Sequence, residues 1–598
     1  MLFAIALLIV IGYLSYKASP KEREEDAHVH GAGQIGLLAA LALFGVDYFT
    51  SFYYATGEMM SALHPYGLQK WGYIATAIIA FANIVFGFLY MYSLGIFNEG
   101  GGSYTASMRY LSPTLSLTVA VVLIQDYIFT IVVSTLSGAD QLLSILNQYD
   151  IHWIWHFLIG TSLALVTYYL TIRGRGESAK VVFMLLGFFF SLTLIMFIGL
   201  LIAHVKGVPP VPYHEPIRQA SFLQALYHLL TASMKGLVAL TGLEAMSNGI
   251  QFVRNEDAGI VRWGKQHLPR LKKLWDFYSG KSGIGRFVQT SFLFYGGLTT
   301  LLLTTAAIRF NVYDGTLGRT LVGNLAYLGF GEFPGGTLIY WFYQFLAVAL
   351  LSAASMTAYQ DIQAMTWRNV AIGELPEIVV YRNPKGTFTR PVTAAVSAAI
   401  IIEFLVRGST SAAVPYYGVG VFLPIFAMAL SIRKHFLVTA EGRTRRIGSS
   451  AATFAAVLAI TVFIGQIVGK WEEGGWMVLI SFAFLIFGAH AILVSPAGYR
   501  TPQQIYRIVR EKSRVHGPMG AIVEWQSLKM QEYRYTLLLA IARFFELFGV
   551  HRPLRFEPPP PAGDYSLVES VHDESTETIL KEYLDEIQTP TLKLEQKA

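Results

Sequence analysis

Four side chains in the stretch GVDYFTSFYYATGE, residues 45–58, set a chemical question. Asp47, Ser51, Tyr54 and Glu58 are spaced i, i+4, i+7 and i+11, which places them on one face of an α-helix. They continue an apolar run that begins near Ile35. A carboxylate at the centre of a bilayer costs roughly 2.5–3.5 kcal/mol on insertion scales. The device recurs at 114–137, where Asp126, Thr130, Ser134 and Ser137 share a face and Val121, Val122, Ile128, Val132 and Val133 cover the rest. A third run, 221–250, carries Thr241, Glu244, Ser247 and Asn248, with Gly236 and Gly242 as helix-breaking positions. A single hydroxyl in a membrane helix more often bonds its own backbone or joins two helices. Three carboxyls (Asp47, Asp126, Glu244) on three hydroxyl-flanked stripes are harder to explain as packing.

Carboxylates, hydroxyls and freed backbone carbonyls are hard oxygen ligands, suited to a dehydrated alkali cation or to a proton. A cation between carboxylates favours their charged form, whereas burial and mutual repulsion favour the protonated form. Such groups can exchange one for the other, which is a physical basis for coupling. The glycines of 221–250 permit unwinding, which membrane proteins tolerate where the backbone lines a cavity or is buried in protein. An amino-acid substrate would need exposed backbone N–H groups for its carboxylate. The matching DYFTSFYYATG is bulky and acidic, and Asp47 would repel that carboxylate. This favours a cation and leaves an amine-bearing solute open.

The elements that must position these stripes are membrane helices. Of 598 residues 54% are hydrophobic and only 14% charged, against about 25% charged in a typical soluble domain. Apolar runs near 35–57, 71–95, 114–137, 151–172, 180–204, 221–250, 287–309, 336–365, 389–406, 414–432, 449–469 and 474–494 give twelve core spans. Residues 1–16 read as an additional retained helix: no positive charge precedes the run, and Lys17, Lys21 and Arg23 follow it. Arg254, Arg262, Lys265, Arg270, Lys272, Lys273, Lys281 and Arg286 crowd the link 251–286, and Arg433, Lys434, Arg443, Arg445 and Arg446 the link 432–448. With TIRGRGESAK at 171–180, these fall on one side if the helices alternate, and that side is expected to be cytoplasmic, together with the C-terminus. The net charge of +6 is accounted for by such loops rather than by a nucleic-acid surface. The absence of cysteine excludes thiol catalysis and Cys-ligated metals. No Ser–His pairing, metal cluster or phosphate loop points to an enzyme, and no continuous filter to a channel. HVH at 28–30 reads as solvated loop, and 555–565, RFEPPPPAGDY, as a stiff spacer.

The order of motifs resembles the amino acid–polyamine–cation superfamily, and within it the KimA-type potassium importers, relatives of the KUP potassium uptake proteins. The resemblance is carried by D-x-x-x-S-x-x-Y at 47–54, GGGSY at 100–104, DYIFTIVVS at 126–134, RGRGESA at 173–179, ALTGLEAMSNGI at 239–250 and YGVGVFLP at 417–424. It implies an all-α polytopic, LeuT-like fold of two inverted five-helix repeats, with the first and sixth core helices broken at the midplane. The division would be 1–34, an accessory helix and linker; 35–204 and 205–435, the repeats; 436–497, two further helices; and 498–598, a cytoplasmic tail, part helical and part disordered. The resemblance further implies a cation site of Asp47, Tyr54, Asp126, Thr130, Ser134, Thr241, Glu244 and Tyr417. Glu244, Asp126 and Asp47 would also carry coupling protons. The expected function is proton-coupled potassium import at the plasma membrane without any cofactor, the runner-up being a proton-coupled permease for amino acids or amines. Lys235 departs from the pattern: it would repel potassium, pair with Asp47 or snorkel outward. Oligomeric state, monomer or homodimer, is left open by the sequence.

Overall fold

The computed structural model describes residues 35–492, apart from 99, 112, 147–150, 213–216, 372–376, 381–382 and 384. The expected accessory helix, the HVH segment and the C-terminal tail lie outside the described residues.

The first helix, α1 (Leu37–Leu63), has 20 of its 27 residues buried, so it runs through the middle of the bundle and its polar face does not meet lipid. It is followed by α2 (Gly72–Ile96), the short α3 (Gly102–Tyr110), α4 (Pro113–Ile145), α5 (Trp153–Ile172) and α6 (Arg175–Val205). The next span begins as α7 (Phe222–Leu237), tightens to a 3₁₀ turn over Val238–Leu243 and resumes as the five-residue α8 (Ala245–Gly249). Two surface helices, α9 (Gly259–His267) and α10 (Lys272–Phe277), lead to α11 (Gly280–Phe310). Then come α12 (Leu321–Gly331), α13 (Gly336–Ala371), α14 (Thr389–Leu405), α15 (Thr410–Ala413), α16 (Val419–Thr439), α17 (Gly442–Gly469) and α18 (Trp476–Ile492).

All twelve apolar runs expected from 35 onward are helical. Ten helical stretches among the described residues are long and apolar enough to cross a membrane. The other two, α14 and α18, have 17 residues each. The protein is therefore a polytopic, helical membrane protein. Lipid-facing positions are apolar, as at Phe188, Leu194 and Leu201 on α6 and Phe454 and Val457 on α17. Arg254, Arg262, Lys265, Arg270, Lys272 and Lys273 are exposed in and around α9 and α10, and mark a basic end of the bundle.

The two helices expected to be broken differ: the later one passes through a 3₁₀ turn, and the first is a continuous α-helix. In the span at 222–252 the α-helix ends at Leu237, one residue after Gly236, and Gly242 lies in the 3₁₀ turn that follows. At Gly242 a Cβ would sit 2.8 Å from the backbone nitrogen of Tyr48, so glycine is what lets the unwound segment lie against α1. The first helix, in contrast, is continuous. No glycine or proline occurs between Gly45 and Gly57, and Tyr48 and Phe49 pack their rings on Phe292 of α11. Thr50, Ser51 and Thr56 hydroxyls donate back to the carbonyls of Val46, Asp47 and Phe52, within the same helix.

Candidate functional site

The broken span meets α1, α4 and the turn before α16 near the middle of the bundle. Tyr417, at the end of that turn, is fully buried and its hydroxyl is the common point. It lies 2.5 Å from Thr241 Oγ1 and accepts from Thr130 Oγ1 at 3.2 Å. Tyr54 reaches the same hydroxyl and donates to Ser51 Oγ at 2.9 Å. Ser51 in turn donates to Asp47 Oδ1 at 3.2 Å. Hydroxyls from α1, α4, the 3₁₀ turn and the turn before α16 therefore form one connected web.

Asp47 and Asp126 border this web, each about 4% exposed, and interact electrostatically with each other and with Tyr417. The Gly418 N–H bonds the Asp126 carboxylate, and Gly418 holds φ 80°, a left-handed conformation that glycine takes without strain. Asp126 Oδ1 has no hydrogen-bond partner among the described residues, nor does the buried Ser134 hydroxyl about two turns further along α4. Unpaired buried oxygens are costly and rare. The Asp126 oxygen and the Ser134 hydroxyl are thus buried oxygens without a hydrogen-bond partner among the described residues.

Glu244 sits in a different setting from its expected partners. Its Oε1 accepts from the Ser103 N–H at 2.7 Å and its Oε2 from the Tyr90 hydroxyl at 3.0 Å. It thus caps α3, where a negative charge is favoured by the orphan N–H groups of the first turn. Gly100, Gly101 and Gly102, with φ of 89°, 75° and 46°, bend the GGGSY loop over the broken span. The Gly101 N–H donates to Asn248 O at 3.2 Å, and the Asn248 amide donates to the Tyr127 hydroxyl. A side chain at Gly102 would collide with Asn248, Glu244 and Ser247. The carbonyl of Leu243, freed by the break, accepts from Gln289 Nε2 at 2.6 Å.

Sequence reasoning missed Asp361. It is 2% exposed on α13, its Oδ1 has no hydrogen-bond partner among the described residues, and it lies within electrostatic reach of Glu244, Asp47 and Asp126. A fourth acid therefore faces the same region from a fourth helix. The signal was present in the run 336–365, where Thr357 and Asp361 are four residues apart. Lys470 was also missed. It is fully buried and its Nζ donates at 3.1 Å to the carbonyls of both Val414 and Tyr417. Lys235 does not pair with Asp47 and does not snorkel: it lies 3.4 Å from Glu58 and 3.0 Å from Glu473.

Fold and site thus define a multi-pass membrane protein with a buried web of hydroxyls, bordered by carboxyls, beside a 3₁₀ turn. No family model matches the chain. It is similar to the potassium transporter KimA of Bacillus subtilis (strain 168), at 24% identity over 400 residues. The match covers 66% of this chain and 60% of that relative, so the chain spans about 60% of the length of the curated relative it matches. The resemblance that the motifs carry is borne out by this similarity.

Proposed function

We propose that the protein is a secondary active transporter that imports potassium across the plasma membrane, coupled to protons. The observation that carries this reading is the Tyr417 hydroxyl, shared by Thr130 and Thr241, beside an Asp126 oxygen that has no hydrogen-bond partner among the described residues. Hydroxyl and carboxylate oxygens from separate elements would replace the water of a bare alkali cation. The similarity to a potassium transporter supports the choice of ion. Asp47, Asp126 and Asp361 would share charge between the cation and a coupling proton. Glu244 joins this proton set through its electrostatic reach to Asp126, while it holds the glycine loop on the broken span.

The twelve helices are read as two inverted repeats, 35–204 and 205–435, with α17 and α18 behind them. Alternating access is a rocking of one helix set against the other about the chamber. The basic end is placed in the cytoplasm, and the C-terminus with it.

The test is ⁸⁶Rb⁺ uptake by proteoliposomes of the full chain under an imposed inward proton gradient. Potassium should compete with rubidium, and dissipating the gradient should slow uptake. Competition by lysine, arginine or neutral amino acids, with none by potassium, would replace the reading by an amino acid or amine permease.

A further inference from the structure

The two surface helices α9 and α10 carry large apolar side chains on the outside. They close on each other: Trp275 packs against Gly264, where a Cβ would collide with its ring, and its indole N–H donates to Leu268 O at 2.9 Å. Lys265 pairs with Asp257 at 2.7 Å, and Asp257 also accepts the Gly280 N–H at 2.8 Å, which fastens the pair to the start of α11. Arg286 of α11 donates to Phe277 O at 2.9 Å. The helices are thus held in one pose, yet Ile260, Trp263, Leu268, Leu271, Leu274 and Phe277 are each 40–52% exposed.

Helical geometry sorts these side chains. On α9, Val261 and Gly264 face the protein, Ile260, Trp263 and His267 lie on an adjoining exposed side, and Arg262 and Lys265 lie on a third. Leu271, Leu274 and Phe277 follow at three-residue spacing on one side of α10, and Lys272 and Asp276 take the other. Exposed apolar rows edged by charge mark interaction surfaces. Position and charge say what covers this one. Ile260 lines an open groove of about 630 Å³ together with Leu38 and Leu41 at the start of α1 and Phe287 of α11. Leu38 belongs to a membrane span and is itself 56% exposed, so the row continues the lipid-facing surface of the bundle. Arg254 and Arg262 stand at the same groove, with Glu256 and Asp257. Across 254–277 six basic side chains outnumber three acidic ones, of which Asp257 is engaged by Lys265. Long basic side chains beside an apolar row reach headgroup phosphates while their stems lie on hydrocarbon.

We propose that α9 and α10 are an interfacial anchor for anionic phospholipid, with the apolar row sunk among acyl chains and Arg262, Arg270, Lys272 and Lys273 on the headgroup phosphates. A basic surface of this kind draws anionic headgroups in preference to zwitterionic ones, and the preference falls as salt screens it.

The chain has no cysteine, so single cysteines can be placed and labelled with a fluorophore. The experiment uses the full chain in nanodiscs, labelled at Trp263→Cys or Leu274→Cys on the row, or at Asp276→Cys on the opposite side of α10. Row labels should be quenched by doxyl-labelled lipid and shielded from acrylamide in the water, and the Asp276→Cys label should show the reverse. Half-quenching of the Leu274→Cys label should need at least about fivefold less doxyl-phosphatidylglycerol than doxyl-phosphatidylcholine, the worth of one basic residue at an anionic surface. High salt, or Arg270→Gln, Lys272→Gln and Lys273→Gln together, should abolish that preference and leave the row quenched by lipid. These three positions are exposed, so the combined variant is expected to fold. Row labels as open to acrylamide as the Asp276→Cys label would overturn the anchor. Equal quenching by the two lipids in the wild type would overturn its preference for anionic headgroups. Row labels shielded from acrylamide but untouched by doxyl lipid would also overturn it, and would assign the row to a protein surface such as the acidic segment 566–598. None of these outcomes bears on the ion-binding reading.

Discussion

Asp126→Asn separates a cation ligand from a structural acid. The Gly418 N–H bonds the Asp126 carboxylate, and Asp126 Oδ1 has no hydrogen-bond partner among the described residues. An asparagine can keep the first bond through its carbonyl and turn its amide to where the open oxygen lies. The fold should therefore survive, with a Tm equal to or above that of the wild type, because a buried charge has been removed. The cation loses a carboxylate. At about 4 Å and an effective dielectric of about 20, a carboxylate–cation pair contributes up to about 4 kcal/mol. At about 1.4 kcal/mol per decade, that is a weakening of up to about a thousandfold. The assay is ⁸⁶Rb⁺ uptake against external concentration, with the amount of folded protein set by size-exclusion chromatography and Tm. Half-saturation within about twofold of the wild type, in folded protein, would refute the assignment of the open oxygen to the ion. A collapse of Tm would show Asp126 to be a structural acid instead.

Tyr417→Phe deletes the shared hydroxyl, taking a partner from Thr241 and from Thr130, which keeps its bond to the Asp126 carbonyl, so half-saturation for rubidium should weaken by about 1–3 kcal/mol, roughly 5- to 150-fold, in uptake assays. Glu244→Gln takes an acceptor from the Ser103 N–H or the Tyr90 hydroxyl, so it should lower Tm in detergent as well as uptake, unlike Asp126→Asn. Gly242→Val would drive a side chain into the Tyr48 backbone; loss of uptake with a Tm several degrees lower is expected in thermal melts. Burial pushes the Lys470 amine down to about 7, below its ordinary 10.5. The folded chain then binds fewer protons than the unfolded one between those values, so stability should rise with pH from about 7 upward. Thermal melts at increasing pH should show that rise in the wild type and a smaller one in Lys470→Met.

Helical spacing made three polar faces readable: Asp47 with Ser51 and Tyr54, Asp126 with Thr130 and Ser134, and Thr241 with Glu244. Period alone says which residues share a face, and not which neighbour that face meets. Hence Glu244 was readable as a buried acid, yet its engagement with Ser103 and Tyr90 depends on the fold of a glycine loop some 140 positions away in the chain. Asp361 escaped notice because a lone acid paired only with Thr357 makes no extended stripe. Lys470 sits where a flanking charge at the end of a span would be expected, and only the turn before α16 shows it to be buried. Gly236 and Gly242 flank or lie in the stretch where the α-helix gives way to a 3₁₀ turn. The unbroken first helix was legible in hindsight from DYFTSFYYAT, which has neither glycine nor proline at its centre.

The central claim is that oxygens from α1, α4, the broken span and the turn before α16 hold a dehydrated alkali cation. The most direct measurement is anomalous scattering from crystals of the full chain grown with rubidium or thallium(I). The account predicts an anomalous peak in the chamber, in contact with Asp126 Oδ1 and the hydroxyls of Thr130, Thr241 and Tyr417. Ordered protein in saturating ion with no peak there, or with density for an organic solute in its place, would contradict it.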